Sequence, residues 1–216
     1  MSDRKSTVIS EWGNYTQVYG NQLERMEGRT GSAGSEFLVT NWNINEGGDL
    51  IISDKIHRNW RFLYTKISEL SPKSVFECGC GAMYHLQNIK GIFPEISVGG
   101  CDLLQSQIDL GKKKFEISDE VTKNVFQRDF SVELEDSGEL GSHEFVYSHA
   151  VMMHLNGDAA QNFLANMLKI SSKYVFFLED VEHDYIEMLK KSGEGNRWKV
   201  SVFEKESGWL FTKIEK

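Results

Sequence analysis

The chain of 216 residues predicts an open α/β fold: a mostly parallel sheet with helices on both faces and a C-terminal antiparallel hairpin. Three features predict it. An apolar run from Ser74 ends in a carboxylate, Glu77, and two glycines, Gly79 and Gly81, follow before a helix opens. A second apolar run, Ile96 to Cys101, ends in Asp102 and opens another helix, at the spacing of a β-α-β unit. Strands and helices then alternate to a tail, Trp198 to Glu204 and Trp209 to Ile214, which reads as a hairpin around Lys205 to Gly208.

Residues 1–54 have mixed signals and are assigned to an N-terminal cap or lid, with residues 55–216 as the ligand-binding domain. Trp12, Tyr15, Tyr19 and Trp42 are too aromatic for a solvated tail, so this region either covers a substrate or buries sheet edges. From Ser53, a cap candidate, Trp60, Leu63, Ile67 and Leu70 share one helical face that ends before Pro72. The strand carrying Glu77 comes next. After Asp102 the pattern predicts a helix over Leu104 to Phe115 and strands at Val125 to Gln127 and Phe145 to Ser148. A helix follows over Asp158 to Ile170, with Phe163, Leu164, Met167 and Leu168 on one face. Tyr174 to Leu178 is apolar throughout, as a central parallel strand is, and Asp184 to Lys191 forms a short helix.

The two glycines let the backbone turn sharply and approach a nucleotide-sized ligand. Glu77 at the strand tip would repel a pyrophosphate but suits a cationic amino acid group or hydroxyls. Asp102 can accept two hydrogen bonds from vicinal ribose hydroxyls. Tyr84 stands where a dinucleotide fingerprint requires a third glycine, which disfavours a nucleotide-dependent oxidoreductase.

On FECGCGAMYHL, GGCDLLQSQIDLGKKK, VFQRDFS and HEFVYSHAVMMHL, roughly Ser74 to Val181 resembles the class I S-adenosylmethionine-dependent methyltransferases. The resemblance implies a Rossmann-like fold, S-adenosyl-L-methionine as cofactor and methyl transfer as the activity. It places Glu77, Gly79 and Gly81 around the methionine part and Asp102, with Leu103 beside it, at the ribose. It also places Asp129 at the adenine amino group, Phe130 beside the ring, and Ser148 at the end of the fourth strand. Met83 departs from the pattern, since many members have a small residue there.

Ligands of such sheets bind outside the carboxyl ends of the strands, so Ser148 to His154 and Glu179 to His183 face the methyl acceptor. His149, His154 and His183 are the catalytic candidates, because a neutral imidazole can take a proton from an acceptor hydroxyl or amine. Each has a structural alternative: a loop-holding hydrogen bond for His149 and His154, helix entry for His183. Glu179, Asp180, Glu182 and His183 are of types that can ligate a metal, but no metal is assigned. His57 and His143 read as solvated. Tyr84 and His85 open the first helix, either touching the cofactor or packing it.

Composition bounds the partners. A net charge of −8 argues against nonspecific nucleic-acid binding, and the basic run Lys112 to Lys114 suits a helix C-terminus. Cys78, Cys80 and Cys101 have no metal or redox spacing and read as small buried side chains of a reducing compartment. No run is long enough to span a membrane and no leader is visible, so the expected location is the cytoplasm. The acceptor is expected to be a small molecule or glycan, most readily at a hydroxyl. The alternative is a regulatory module that binds S-adenosylmethionine without transferring a methyl.

Overall fold

The computed structural model describes residues 38–114, 117–135, 138–178 and 183–214. Trp12, Tyr15 and Tyr19 lie outside them, as do Glu179, Asp180 and Glu182.

The described chain opens with a small antiparallel hairpin, β1 (Trp42–Ile44) and β2 (Leu50–Ile52). Sequence pattern alone predicts no regular structure here, because two three-residue strands carry too little periodicity. Turn chemistry closes the hairpin: the Asn45 side chain accepts from Asp49 N at 2.8 Å, and Gly48 adopts φ +87°. The Asp54 carboxylate, just past β2, fastens the open end by accepting from Thr40 N at 2.6 Å and Asn41 N at 2.8 Å.

Helix α1 (Arg58–Leu70) buries Leu63, Tyr64 and Ile67 at the expected spacing. Its cap is His57, whose Nδ1 accepts from Asn59 N at 3.3 Å. This corrects the reading of Ser53, whose backbone N–H donates to Asn41 O and so belongs to the hairpin. Ser71 ends the helix in the left-handed region at φ 44°, just before Pro72.

The alternation then runs β3 (Ser74–Cys78), α2 (Tyr84–Ile92), β4 (Ser97–Asp102), α3 (Gln105–Lys114), α4 (Asp119–Thr122) and β5 (Val125–Gln127). It continues with β6 (His143–His149), α5 (Gly157–Ile170), β7 (Ser171–Leu178), α6 (Tyr185–Lys191), β8 (Trp198–Phe203) and β9 (Gly208–Lys213). The seven-stranded sheet has the order β5-β4-β3-β6-β7-β9-β8, parallel except where β9 joins β7 and β8. Chain order therefore reverses between β3 and β6, the switch point at which open sheets hold ligands.

Strand alternation sorts the core into two faces. Val75, Phe145, Tyr147, Phe176 and Leu178 join Leu63 and Ile67 of α1 and Leu86 and Ile89 of α2 on the first. Phe76, Val146, Val175, Phe177 and Phe211 meet Phe163, Leu164 and Met167 of α5 on the second. Glu77, two residues past Val75, is committed by parity to the first face. Among the described residues no helix is long and apolar enough to cross a membrane.

Candidate functional site

The loop between β3 and α2 is closed by backbone geometry. Gly79 and Gly81 hold φ +82° and +49°, which an L side chain adopts only with strain. Gly79 N and Cys80 N both donate to Cys101 O at 2.8 Å, fastening the loop to β4. The loop is also covered: a Cβ on Gly79 would lie 2.3 Å from Val151 Cγ2, so the segment after β6 rests on this glycine. Met83 enters α2 at φ +61° and is buried in the first core. From the other side, α3 approaches at Gly111, where a Cβ would lie 2.2 Å from Ala82 O. Gly111 is absent from the sequence candidates, although a glycine inside a helical pattern signals close packing.

Glu77 and Asp102 lie on adjacent strands and the same face. Glu77 pairs in register with Gly100, and Asp102 is two residues further along β4. Asp102 already has two backbone donors, Gly81 N to Oδ2 at 2.8 Å and Leu104 N to Oδ1 at 2.9 Å. Each oxygen keeps a second lone pair for a ligand. Burial raises the Asp102 pKa above the usual carboxylate value, with the two amides opposing it. Leu103, half-buried beside it, accepts from Gln127 Nε2 through its carbonyl at 3.2 Å.

Glu77 is only 1% exposed, and its Oε2 has no hydrogen-bond partner. Burial holds its pKa well above the ordinary value. The Tyr147 hydroxyl, in register across β6, faces the carboxyl and opposes that rise, yet makes no hydrogen bond of regular geometry. Asp102 pushes in the same direction as burial. Next to this pair is a buried polar chain that sequence spacing does not assemble. Tyr64 Oη is 2.7 Å from His85 Nδ1 and accepts from Asn88 Nδ2 at 2.8 Å. His85, 3% exposed, lies edge-on to His149 with ring centroids 5.1 Å apart. Desolvation first, then the nearby His149, lowers the His85 pKa well below its usual value. Parity gave one available signal, since Tyr147 and His149 alternate onto the face that carries Glu77.

The remaining candidates are spread around the rim. Asp129 is half-buried and closes its own turn, Oδ1 accepting from Ser131 N at 2.9 Å and from the Ser131 hydroxyl. Phe130 is buried in the second core between Phe76 and Phe163. Ser148 is fully buried in register with Phe177, so alternation turns it toward the second face. His149 ends β6, half-buried; His154 is exposed on a 3-10 turn, Met152–His154. His183 Nε2 meets Met152 O at 2.8 Å and so ties the approach to α6 to that turn. His143 is not solvated as expected: it is half-buried, with Nε2 2.8 Å from Leu140 O and its ring 4.7 Å from Phe76. Cys78, Cys80 and Cys101 are free and buried. Among the described residues no group of three or more His, Cys, Asp or Glu could hold a metal. Two surface grooves, one along Lys173 and Lys213 and one along Lys90 and Lys123, lie at the amino ends of the strands, away from this rim.

Solved structures share this architecture. The methyltransferase domain of bacterial CtHen1-C is similar over 73% of this chain and 98% of its own, at 13% identity and a TM-score of 0.57. Magnesium protoporphyrin IX methyltransferase from Synechocystis PCC 6803, with bound S-adenosylmethionine, aligns over 74% of this chain and 79% of its own, at 11% identity and TM-score 0.54. The chain has a methyltransferase fold. An O-methyltransferase family protein from Burkholderia thailandensis adds a third case, at 12% identity and TM-score 0.55, with this chain spanning 57% of its length. No family model and no curated protein sequence matches the chain. In this methyltransferase fold Glu77, the glycine loop and Asp102 lie at the switch-point rim.

Proposed function

We propose that the protein is an S-adenosylmethionine-dependent methyltransferase acting on a small-molecule or glycan acceptor, most readily at a hydroxyl. The observation that carries this reading is the pair of acidic tips at the switch point: Glu77 with a buried, unpartnered oxygen, and Asp102 beside it. A carboxylate buried without a partner is costly unless a ligand completes it. A cationic amino group placed at Oε2 supplies that partner, and the two spare lone pairs of Asp102 suit vicinal hydroxyls. The residues present therefore fit an amino-acid-bearing nucleoside better than a pyrophosphate, which both carboxylates would repel.

The bound cofactor supplies an activated methyl group on a sulfonium. This chain's residues align the partners and keep water out. Glu77 fixes the charged end and Asp102 the ribose, while the glycine loop lets the backbone come close. Asp129, on the loop after β5, is assigned to the adenine amino group. Phe130 acts from inside the second core, supporting that loop. His149, at the end of β6 on the Glu77 face, is assigned to the acceptor. His183 holds the neighbouring turn through Met152 O, and His154 lies further out on that turn. The β1–β2 hairpin, whose Trp42, Leu50 and Ile52 pack on the first core, is assigned to the cap or lid expected over residues 1–54.

The fold likeness and the charge of −8 support a small-molecule or glycan acceptor over nucleic acid. The test is transfer of label from methyl-labelled S-adenosylmethionine into pools of small molecules and glycans. Label in a small-molecule or glycan fraction supports the proposal. Cofactor binding with no transfer to any pool would leave only a binding module.

A further inference from the structure

Nothing among the described residues balances a negative charge on Glu77. The side chain is 1% exposed, its Oε2 has no hydrogen-bond partner, and no described lysine or arginine pairs with it. The titratable groups around it come from each element packed on that face: Tyr147 on β6, Tyr64 on α1, Asp102 on β4 and Cys80 in the glycine loop, with Cys78 next along β3. Burial keeps both phenols and both thiols protonated, and Asp102 can only add negative charge. His85 on α2 is held neutral by burial, and His149, half-buried at the end of β6, meets that ring edge-on. A carboxyl group desolvated without a partner takes its neutral form.

We propose that Glu77 holds a proton in the ligand-free protein and releases it to solvent when an ammonium group arrives at Oε2, so that the site takes its ligand by exchanging one positive charge for another. The carboxyl O–H bond breaks, the proton passes to the buffer, and the electron pair left on oxygen accepts from the ammonium N–H. Glu77 and its partner therefore sum to zero charge before and after. That the ammonium belongs to S-adenosylmethionine or its product rests on the methyltransferase reading. The exchange gives the site a selectivity of its own: a nucleoside without an amino group cannot displace the proton. Affinity for the amino-acid-bearing ligand should rise with pH below the ligand-free pKa of Glu77, by up to about tenfold per unit.

The experiment is calorimetry on the full chain at one pH, in buffers of different ionisation enthalpy, which counts the protons released. S-adenosylhomocysteine is expected to release about one proton on binding. Methylthioadenosine, which keeps the adenosine and the sulfur but lacks the amino acid end, should release close to none. Carbon-13 spectra of the glutamate carboxyl groups, with Glu77 assigned by its loss in Glu77→Gln, read the same event directly. The ligand-free resonance should lie at the acid position at neutral pH and move to the carboxylate position with S-adenosylhomocysteine. Binding without proton release, equal release with methylthioadenosine, or a Glu77 already ionised in the ligand-free protein would overturn the exchange alone. Failure of S-adenosylhomocysteine to bind a protein whose Glu77 is protonated would overturn the methyltransferase reading and the exchange with it. The proton count uses only the wild type, so it decides the matter even if Glu77→Gln does not fold.

Discussion

The two faces of the sheet are equally well buried but treat their polar groups differently. On the second face, Asn166 uses its whole amide: Nδ2 donates to Phe130 O at 3.0 Å and Val132 O at 2.7 Å, and Oδ1 accepts from Leu134 N at 3.3 Å. On the first face, Glu77 Oε2, His85 Nε2 and Tyr147 Oη are buried without partners. On the second face Trp198 Nε1, on the outermost strand β8, is likewise buried without a partner among the described residues. A satisfied buried polar group holds the fold, and an unsatisfied one anticipates a ligand. The contrast separates Asn166, which laces the loop after β5 to α5, from Glu77, which has no sufficient structural task.

The largest effect should come from the second face. Phe177→Ala is expected to cost about 4 kcal/mol in denaturant unfolding, the range for a buried aromatic, because Tyr185 and Phe211 pack on that ring. Ligand affinity of the molecules that remain folded should not change. A loss well under 1 kcal/mol would show that this face is not the apolar foundation described.

Next is Gly79→Ala, which combines left-handed strain with the clash against Val151 for a total of about 3 kcal/mol. Adding Val151→Ala should recover part of that loss, and the coupling in the double-mutant cycle measures how firmly the segment after β6 rests on the glycine loop. Strict additivity would mean the two segments do not touch.

Asn166→Ala should cost about 2 kcal/mol of stability through three lost hydrogen bonds while leaving ligand affinity unchanged. Weaker binding in that variant would erase the distinction between the faces.

Glu77→Gln should show the opposite pattern: little stability lost, and binding impaired. Its sign with pH is specific. The folded pKa of Glu77 lies well above the ordinary 4.5, so the wild type is penalised as pH rises from the unfolded value through the folded one. The stability of wild type minus that of Glu77→Gln should therefore fall as pH rises across that window and level off above it. A flat difference would place a solvated or fully paired carboxylate at this position.

Much of the first face was legible because its signals are local. An apolar run, a carboxylate and two glycines determine a strand tip and a tight loop within a few residues, and the second acidic tip follows at β-α-β distance. The β1–β2 hairpin was not legible, since its strands are three residues long and its order comes from turn side chains. Nor was the fate of Phe130, because adjacency to Asp129 says nothing about which core claims the ring. Ser148 shows the same limit from the other side: alternation relative to Tyr147 would have turned it away, but only once the strand's register was known. The Tyr64–His85–Asn88 chain joins α1 to α2 across 21 to 24 residues, a contact that no spacing rule reveals.

Isothermal titration of S-adenosylhomocysteine into the wild type and Asp102→Ala, with NAD as the control ligand, tests most directly whether the acidic rim is a nucleoside site. One-to-one binding to the wild type, weakened by about 1–3 kcal/mol in Asp102→Ala through loss of charge-assisted hydrogen bonds, is the expected result. Binding of NAD alone, or equal affinity of the two proteins for S-adenosylhomocysteine, would contradict it.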